Sequence, residues 1–137
     1  MKNLNLIALV FAVLLFGCKE DEVQPESLIG TWELRHVLGG QIAGAPSDFP
    51  KGNGKIIQFS ADEYQRIEDG KVVSTGTYRI VKESAEIDGT KYEQRIIFDD
   101  DQWKTFIKLT GNKILICSGT IAADGTTATY EKIITLE

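Results

Sequence analysis

The sequence predicts an all-β protein with eight antiparallel strands, and two observations support this prediction. From residue 28 onward, short runs rich in Ile, Val, Thr, Tyr and Phe are separated by Gly, Asn and Asp, which is typical of strands joined by turns. Several runs are connected by two-residue turn signals, which favour antiparallel pairing of consecutive strands. A meander of eight strands protects its edges either by closing into a barrel or by packing as a sandwich.

The predicted strands follow one another without a sustained helical period. Asp69-Gly70 and Asp88-Gly89 are hairpin signals, and Gly111-Asn112 and Asp124-Gly125 supply the positive backbone angles of tight turns. Residues 39–54 differ, because they are rich in glycine without a strand pattern, and loops of this length tend to be functional lids or disordered. The predicted strands are 29–38, 55–60, 63–68, 71–81, 92–98, 103–110, 113–118 and 127–136.

Length and charge limit the classes of function. A chain of 137 residues is about one domain. Its formal net charge is -5 and its Lys and Arg residues are scattered, so we expect it to repel a phosphate backbone and to bind no nucleic acid. No phosphate loop, nucleophile elbow or His-Glu-x-x-His motif is present, and we expect neither an enzyme nor a cofactor.

Residues 1–17 are predicted to be a signal peptide. Lys2 provides a positive charge before an apolar run, residues 4–16, that is interrupted only by Asn5. As a helix this run spans roughly 20 Å, which is shorter than the roughly 30 Å hydrocarbon core of a bilayer. We therefore expect removal of the segment rather than a permanent membrane span.

The end of this run, Leu15-Phe16-Gly17-Cys18, resembles the lipobox of bacterial lipoproteins. The resemblance implies that diacylglycerol is attached to Cys18, that cleavage occurs before it, and that the new amino terminus is acylated. The alternative is a chance cysteine after an uncleaved signal. Several acyl chains would hold the protein firmly, because each buried methylene contributes about 0.8 kcal/mol.

Residues 18–27 are interpreted as the lipidated cysteine and a flexible tether. Lys19-Glu20-Asp21-Glu22 resembles the charged export tag of some Gram-negative surface lipoproteins, and Lys19 is not the aspartate that favours inner-membrane retention in that family. The resemblance implies an outer-membrane lipoprotein of the cell envelope, with surface exposure as a further expectation. The charges also fit a solvated linker, and both interpretations can hold together.

Residues 28–137 resemble the lipocalin-like domains of bacterial lipoproteins, which implies an up-and-down (calycin) β-barrel. Gly30-Thr31-Trp32 is similar to the Gly-x-Trp opening of lipocalins, and further matches are Phe59, Tyr64, Gly76, Tyr78 and the closing run DGTTATYEKI.

Where the family often has an arginine over the tryptophan, this chain has Lys132. We expect Gly30, Trp32 and Lys132 to close one end of the barrel, with the cation contributing on the order of 0.5 to 2 kcal/mol. The alternative is that Lys132 is an ordinary exposed strand lysine.

Alternation along the strands defines an inward face. An eight-stranded barrel either fills its interior with side chains or holds one small ligand, and both outcomes stay open for this set of large residues. His36 is expected on the Trp32 face, where it contacts a ligand or is satisfied by neighbours at the rim. The candidate cavity residues are Trp32, Leu34, His36, Phe59, Tyr64, Tyr78, Ile80, Phe98, Ile107, Ile116 and Tyr130.

We expect no metal site, no disulfide and no catalytic residue. One histidine without a cysteine cluster is too little for zinc, and residues 99–101, three aspartates, lack calcium-loop spacing and are interpreted as a solvated turn. With Cys18 acylated, Cys117 has no partner in the chain and is interpreted as a small strand residue. Glu33 is expected to face water.

The sequence therefore predicts a membrane-anchored lipoprotein whose lipocalin-like barrel binds a small hydrophobic or amphipathic ligand at the cell envelope. The alternative is a non-enzymatic module that binds a protein or glycan on the cell surface and uses the barrel only as a scaffold. The expected partners are the membrane, through Cys18, and a small apolar ligand.

Overall fold

The computed structural model describes residues 27–40 and 43–136. The predicted signal peptide, Cys18 and the tether before Ser27 lie outside the described residues. Within these ranges the elements are β1 (Gly30–Gly39), β2 (Lys55–Phe59), β3 (Glu63–Glu68), β4 (Lys71–Ile87), β5 (Thr90–Phe98), β6 (Thr105–Thr110), β7 (Lys113–Ser118), a 3-10 helix (Ile121–Ala123) and β8 (Thr126–Lys132).

The strands of the described ranges form one antiparallel sheet in chain order, and β8 pairs with β1, so that the sheet closes in a ring. The prediction of an all-β fold with eight antiparallel strands is confirmed. Tight turns join several strands because Asp69, Asp88 and Asp124 adopt positive φ angles of 50°, 48° and 63°, a backbone region that Asp occupies more readily than most residues.

The ring surrounds an apolar core made of alternate residues from its strands. Trp32, Ile57, Ile96 and Ile114 are completely buried at its centre. Ile96 and Ile107 point inward on β5 and β6, which places their neighbours on the opposite face. Large side chains therefore fill the deep interior of the ring.

A β-bulge exchanges the two faces of β1 halfway along the strand. Leu34 lies opposite Tyr130 and His36 lies opposite Thr129, so β1 has one residue more than β8 at this point. Beyond the bulge Val37 packs against the core, and His36 points away from it. The expectation that His36 faces inward is wrong, because simple alternation does not anticipate an inserted residue.

β4 and β5 are longer than predicted and leave the ring together as a hairpin arm, residues 83–93. β5 pairs with β6 only from Gln94 to Ile96. A bulge between Lys82 and Ala85 interrupts the β4 register where the arm begins. The charged residues of this stretch masked its strand pattern in the sequence.

The arm lies over the outer face of the sheet and covers a second apolar cluster. Tyr92 packs there with Phe106 and Cys117, all of them buried. At the tip, Asp88 Oδ2 accepts a hydrogen bond of 3.0 Å from the backbone N–H of Ile121. The arm thus explains why Phe106 and Cys117 are apolar although they do not face the interior.

Apart from β4 and β5, two predicted strand boundaries differ by two residues or more, and the remaining ones agree to within one residue. β6 begins at Thr105 rather than at residue 103, and β8 ends at Lys132 rather than at residue 136. Beyond Lys132, the N–H of Ile133 still donates to the carbonyl oxygen of Thr31, 2.8 Å away. The 3-10 helix before β8 was not predicted.

Candidate functional site

One end of the ring is closed by the residues that begin β1 and end β8. Trp32 Nε1 donates a hydrogen bond of 2.8 Å to the carbonyl oxygen of Leu28, which is buried beside it. Lys132 Nζ lies 5.3 Å from the centroid of the Trp32 ring. Gly30 has a φ of +139°, and a Cβ there would lie 2.9 Å from Lys132 Cε. The expected closure residues Gly30, Trp32 and Lys132 are thus brought together.

The candidate functional site is a cavity of about 180 Å³ at the other end, which we call the mouth cavity. At roughly 30 Å³ per water molecule, this volume corresponds to about six waters. Its walls come from β1, β2, β3, β8 and the loop after β1, and they combine apolar and charged side chains. The lining residues are Leu34, Phe49, Lys55, Ile56, Arg66, Ile67, Glu68 and Tyr130.

Arg66 points into the ring from β3. Its register partner Ile57 is completely buried, and residues directly opposite each other share a face. The guanidinium carbon lies 5.8 Å from the Tyr64 ring centroid and 5.5 Å from the Phe98 ring centroid. None of the ion pairs between described residues involves Arg66. The mouth cavity therefore contains a cation that lies over two aromatic faces and outside the ion pairs of the described residues, with the Asp99 carboxylate near enough to interact with its charge.

Tyr130 brings a phenol to the same cavity. Burial raises the pKa of Tyr130, and Arg66 opposes part of that rise through its charge and a hydrogen bond. The hydroxyl therefore stays protonated at neutral pH and can donate a hydrogen bond. The cavity thus offers Arg66 and the neutral Tyr130 donor beside apolar walls, with the Lys55 ammonium and the Glu68 carboxylate also in its lining.

Asp99, at the end of β5, fixes Tyr64 beneath Arg66. Asp99 Oδ2 accepts a hydrogen bond of 2.6 Å from the Tyr64 hydroxyl, and Oδ1 accepts one of 2.9 Å from the N–H of Thr77. These hydrogen bonds hold the pKa of Asp99 below its ordinary value. Gly76 leaves room for the contact, since a Cβ there would lie 1.9 Å from Asp99 Oδ1.

The long loop after β1 covers one side of the mouth cavity. Phe49 from this loop packs against the core and lines the cavity. The N–H of Phe49 donates to the carbonyl oxygen of Arg35 at 2.9 Å, and the N–H of Val37 donates to that of Ser47 at 2.8 Å. These hydrogen bonds pair the loop with the second half of β1, beyond Glu33, where β2 no longer runs beside the strand.

His36 belongs to the attachment of this loop rather than to the cavity. Its Nδ1 lies 2.8 Å from Asp48 Oδ1, and both side chains reach solvent. The imidazole thus joins β1 to the loop from the outside of the ring.

Glu33 holds the second half of the same loop. Its side chain was expected to face water, but the residue is 4% exposed. Burial alone would raise the pKa of Glu33, yet hydrogen bonds from the Gly52 and Gly54 backbone, together with Arg35, lower it below the ordinary value. Arg35 Nη1 donates to Glu33 Oε2 at 2.5 Å. Glu33 is buried, contrary to that expectation, because the loop folds back over the outer face of β1.

Most of the expected cavity residues are core residues. Only Leu34 and Tyr130 of that set line the mouth cavity, and the others, except His36, fill the interior behind it or pack against it. Sequence reasoning missed Arg66, Lys55 and Phe49. The signal for Arg66 was available, since it lies two residues after Tyr64 and alternation places both on one face. The set within or against the core is Trp32, Leu34, Phe59, Tyr64, Tyr78, Ile80, Phe98, Ile107, Ile116 and Tyr130.

No group of three or more His, Cys, Asp or Glu side chains in residues 27–40 and 43–136 is placed to hold a metal ion. Cys117 is a buried free thiol whose Sγ lies 3.5 Å from the carbonyl oxygen of Gly119. Over the same residues, no helix has the length and apolar character needed to cross a membrane.

Comparison with known proteins gave no match, whether to a protein-family model, to a curated protein or to a solved structure.

Proposed function

We propose that the protein is a lipid-anchored envelope protein of lipocalin-like build, and that its mouth cavity binds a small amphipathic molecule with an anionic group. The observation that carries the proposal is Arg66, a half-buried cation that points into the ring over the Tyr64 and Phe98 faces and takes part in none of the ion pairs between described residues. The Asp99 carboxylate interacts with its charge, but the oxygens of Asp99 are occupied by Tyr64 and Thr77. Burying such a charge is costly unless it is paired, and a bound anion would pair it.

The apolar part of the ligand would lie against Leu34, Phe49 and Tyr130. Its burial would contribute roughly 25 cal/mol for each Å² removed from water. The Tyr130 hydroxyl would donate a hydrogen bond to the anionic group beside Arg66. Small-molecule sites in proteins are commonly built in this way: apolar walls provide most of the affinity, and a few polar groups fix the orientation of the ligand.

The size of the cavity limits the ligand. A volume of about 180 Å³ is smaller than the roughly 300–1,000 Å³ of sites for drug-sized ligands. Trp32 and Ile114 occupy the space behind it. We therefore infer a short-chain ligand, or a longer one of which only one end enters the ring.

The envelope location is supported by the sequence before Ser27. The lipobox-like Leu15-Phe16-Gly17-Cys18 and the charged residues after it motivate the anchor. Its direct test is the intact mass of the protein purified from membranes, in which the acylated chain would begin at Cys18 and carry several acyl chains. A mass that corresponds to the unmodified chain would reject the anchor without bearing on the cavity.

Calorimetric titration with octanoate and with the neutral octanol tests the cavity. We expect octanoate to bind the wild type more tightly than octanol, and Arg66→Gln to lower octanoate affinity about tenfold while octanol affinity stays the same. Lys71→Gln is the matched control, because it removes an exposed cation from the start of β4. Equal affinity of the wild type and Arg66→Gln for octanoate would contradict the proposal.

The filled deep interior favours a second candidate, an interaction module that uses the ring only as a scaffold. Its partner would bind the loops or the outer face of the hairpin arm. Failure of both octanoate and octanol to bind, together with a stoichiometric protein partner retained on purification from solubilised membranes, would favour this candidate over the first.

A further inference from the structure

Four exposed apolar residues lie in the segments just before β1 and just after β8, next to the closed end of the ring. Ile29 is 40% exposed, Ile133 37%, Ile134 71% and Leu136 91%. They belong to one patch, because the N–H of Ile133 bonds to the carbonyl oxygen of Thr31 and thereby aligns the residues after β8 with the start of β1. Exposed apolar residues are ordinary when single, but a cluster marks an interaction surface.

The first described residue, Ser27, lies directly before this patch in the chain. Nine residue steps separate Ser27 from Cys18, a reach of at most roughly 30 Å at about 3.3–3.6 Å per residue. An acylated Cys18 would therefore keep the closed end near the bilayer. The mouth cavity lies at the other end and would face away from it.

Lysines lie beside two of the apolar residues of the patch. Lys51, Lys132, Ile133 and Ile134 line one depression on the outer face of β1 and β8. Glu33 and Glu131 line the same depression and pair with Arg35. Lys51 is exposed and lies in the loop that Glu33 holds. Isoleucine beside lysine suits the boundary of a membrane, where apolar side chains enter the acyl region and ammonium groups meet anionic headgroups.

We propose that the patch formed by Ile29, Ile133, Ile134 and Leu136 rests on the surface of an anionic phospholipid membrane and orients the ring with its mouth cavity outward. This inference rests on the lipid anchor proposed above. The acyl chains would supply the attachment, and the patch would supply the orientation. A ligand would then enter from the aqueous side rather than from the bilayer.

Two labelled variants of the full chain test the orientation. Ile134→Cys places a thiol in the patch, and Val73→Cys places one at the other end, close to the start of β4; both native side chains are exposed, so folding should be preserved. Cys117 is buried and should not compete for the label, and unacylated protein carries Cys18→Ser in both variants so that residue 18 does not compete either. Each protein is labelled with an environment-sensitive fluorophore and bound to phosphatidylethanolamine and phosphatidylglycerol vesicles that contain a lipid-borne quencher.

We expect quenching at position 134 to exceed that at position 73 at least threefold, and Leu136→Ser to reduce the quenching at position 134. Equal quenching at the two positions would overturn the proposal. So would a blue shift at position 134 without lipid quenching, because it would indicate a second copy or another protein on the patch. The intact mass of the protein shows separately whether the lipid anchor is present. If acyl chains are absent, the ratio of quenching at position 134 to that at position 73 is measured with vesicles in excess over protein.

Discussion

Lys132 Nζ lies 5.3 Å from the centroid of the Trp32 ring, and this contact joins the end of β8 to the start of β1 where the ring closes. Trp32 is completely buried, so its indole covers the floor of the core. The ammonium group of Lys132 covers the indole in turn. The pairing of β1 with β8 closes the sheet, and packing together with one cation–π interaction covers the end of the core.

Lys132→Gln should weaken the closed end. Loss of the cation over Trp32 is expected to reduce the free energy of unfolding by about 0.5–1 kcal/mol, and Lys132→Arg should retain it. Urea titration followed by Trp fluorescence measures both variants, with Lys71→Gln as a control for loss of a surface charge. A Lys132→Gln protein as stable as the control would mean that packing alone closes the ring.

Glu33→Gln should loosen the loop after β1. The Glu33 carboxylate accepts hydrogen bonds from Arg35 and from the Gly52 and Gly54 backbone. We expect the free energy of unfolding at pH 7 to fall by about 1.5–3 kcal/mol, because a hydrogen bond to a charged group contributes that much. Glu63→Gln, on an exposed side chain, should have little effect.

The effect of Glu33 should depend on pH in a defined direction. Because its folded-state pKa lies below the ordinary value of 4.5, its stabilisation is complete above that pH and is lost as the pH falls through the folded pKa. Denaturant titrations at pH 7 and pH 3 should therefore show the difference between wild type and Glu33→Gln shrinking in acid. If the stability difference between the two proteins grew in acid, the folded-state pKa of Glu33 would lie above its ordinary value and the assigned direction would be wrong.

Gly76→Ala should displace the loop that follows β5. The new Cβ would lie 1.9 Å from Asp99 Oδ1, and relieving that overlap should break the Tyr64 hydrogen bond. We expect a cost of about 1–3 kcal/mol, typical of overpacking. Hydrogen exchange should quicken at Thr77, and octanoate binding should weaken because Tyr64 supports Arg66. Unchanged exchange at Thr77 would refute this account, and Thr75→Ala, at an exposed site on the same strand, is the control.

Phe106→Ala should release the hairpin arm from the outer face of the sheet. The arm depends on the cluster of Tyr92, Phe106 and Cys117, and a buried Phe→Ala change costs about 3–5 kcal/mol. Cys117 should then react with a thiol reagent at least tenfold faster than in the wild type. Val73→Ala, at an exposed site, should leave the Cys117 rate as it was.

Periodicity in the sequence was enough to predict the class of fold and most of the inward residues. Trp32, Tyr64, Ile107 and Tyr130 were all placed by alternation, and each lies in the core. This succeeds because period-two alternation is a property of the local backbone and holds wherever a strand is regular.

The same reasoning failed where a strand is irregular or where distant segments meet. His36 was misplaced because one inserted residue reverses the faces of β1. Glu33 was expected in water because nothing near it in sequence reveals that Gly52 and Gly54 would fold back onto it. The strands of the arm were predicted too short, because the cluster that stabilises the arm forms only when Tyr92 packs against Cys117 from another strand.

Residue order alone thus accounts for eight strands, their tight turns and a floor built on Trp32, since all three depend on short-range patterns. The prediction of an anchor at Cys18 has the same local origin. The mouth cavity, the cation at Arg66 and the cover provided by Phe49 follow from ring closure, which brings β3, β8 and the loop together. The position of the mouth cavity depends on how side chains from distant segments pack together, and no local sequence pattern predicts that packing.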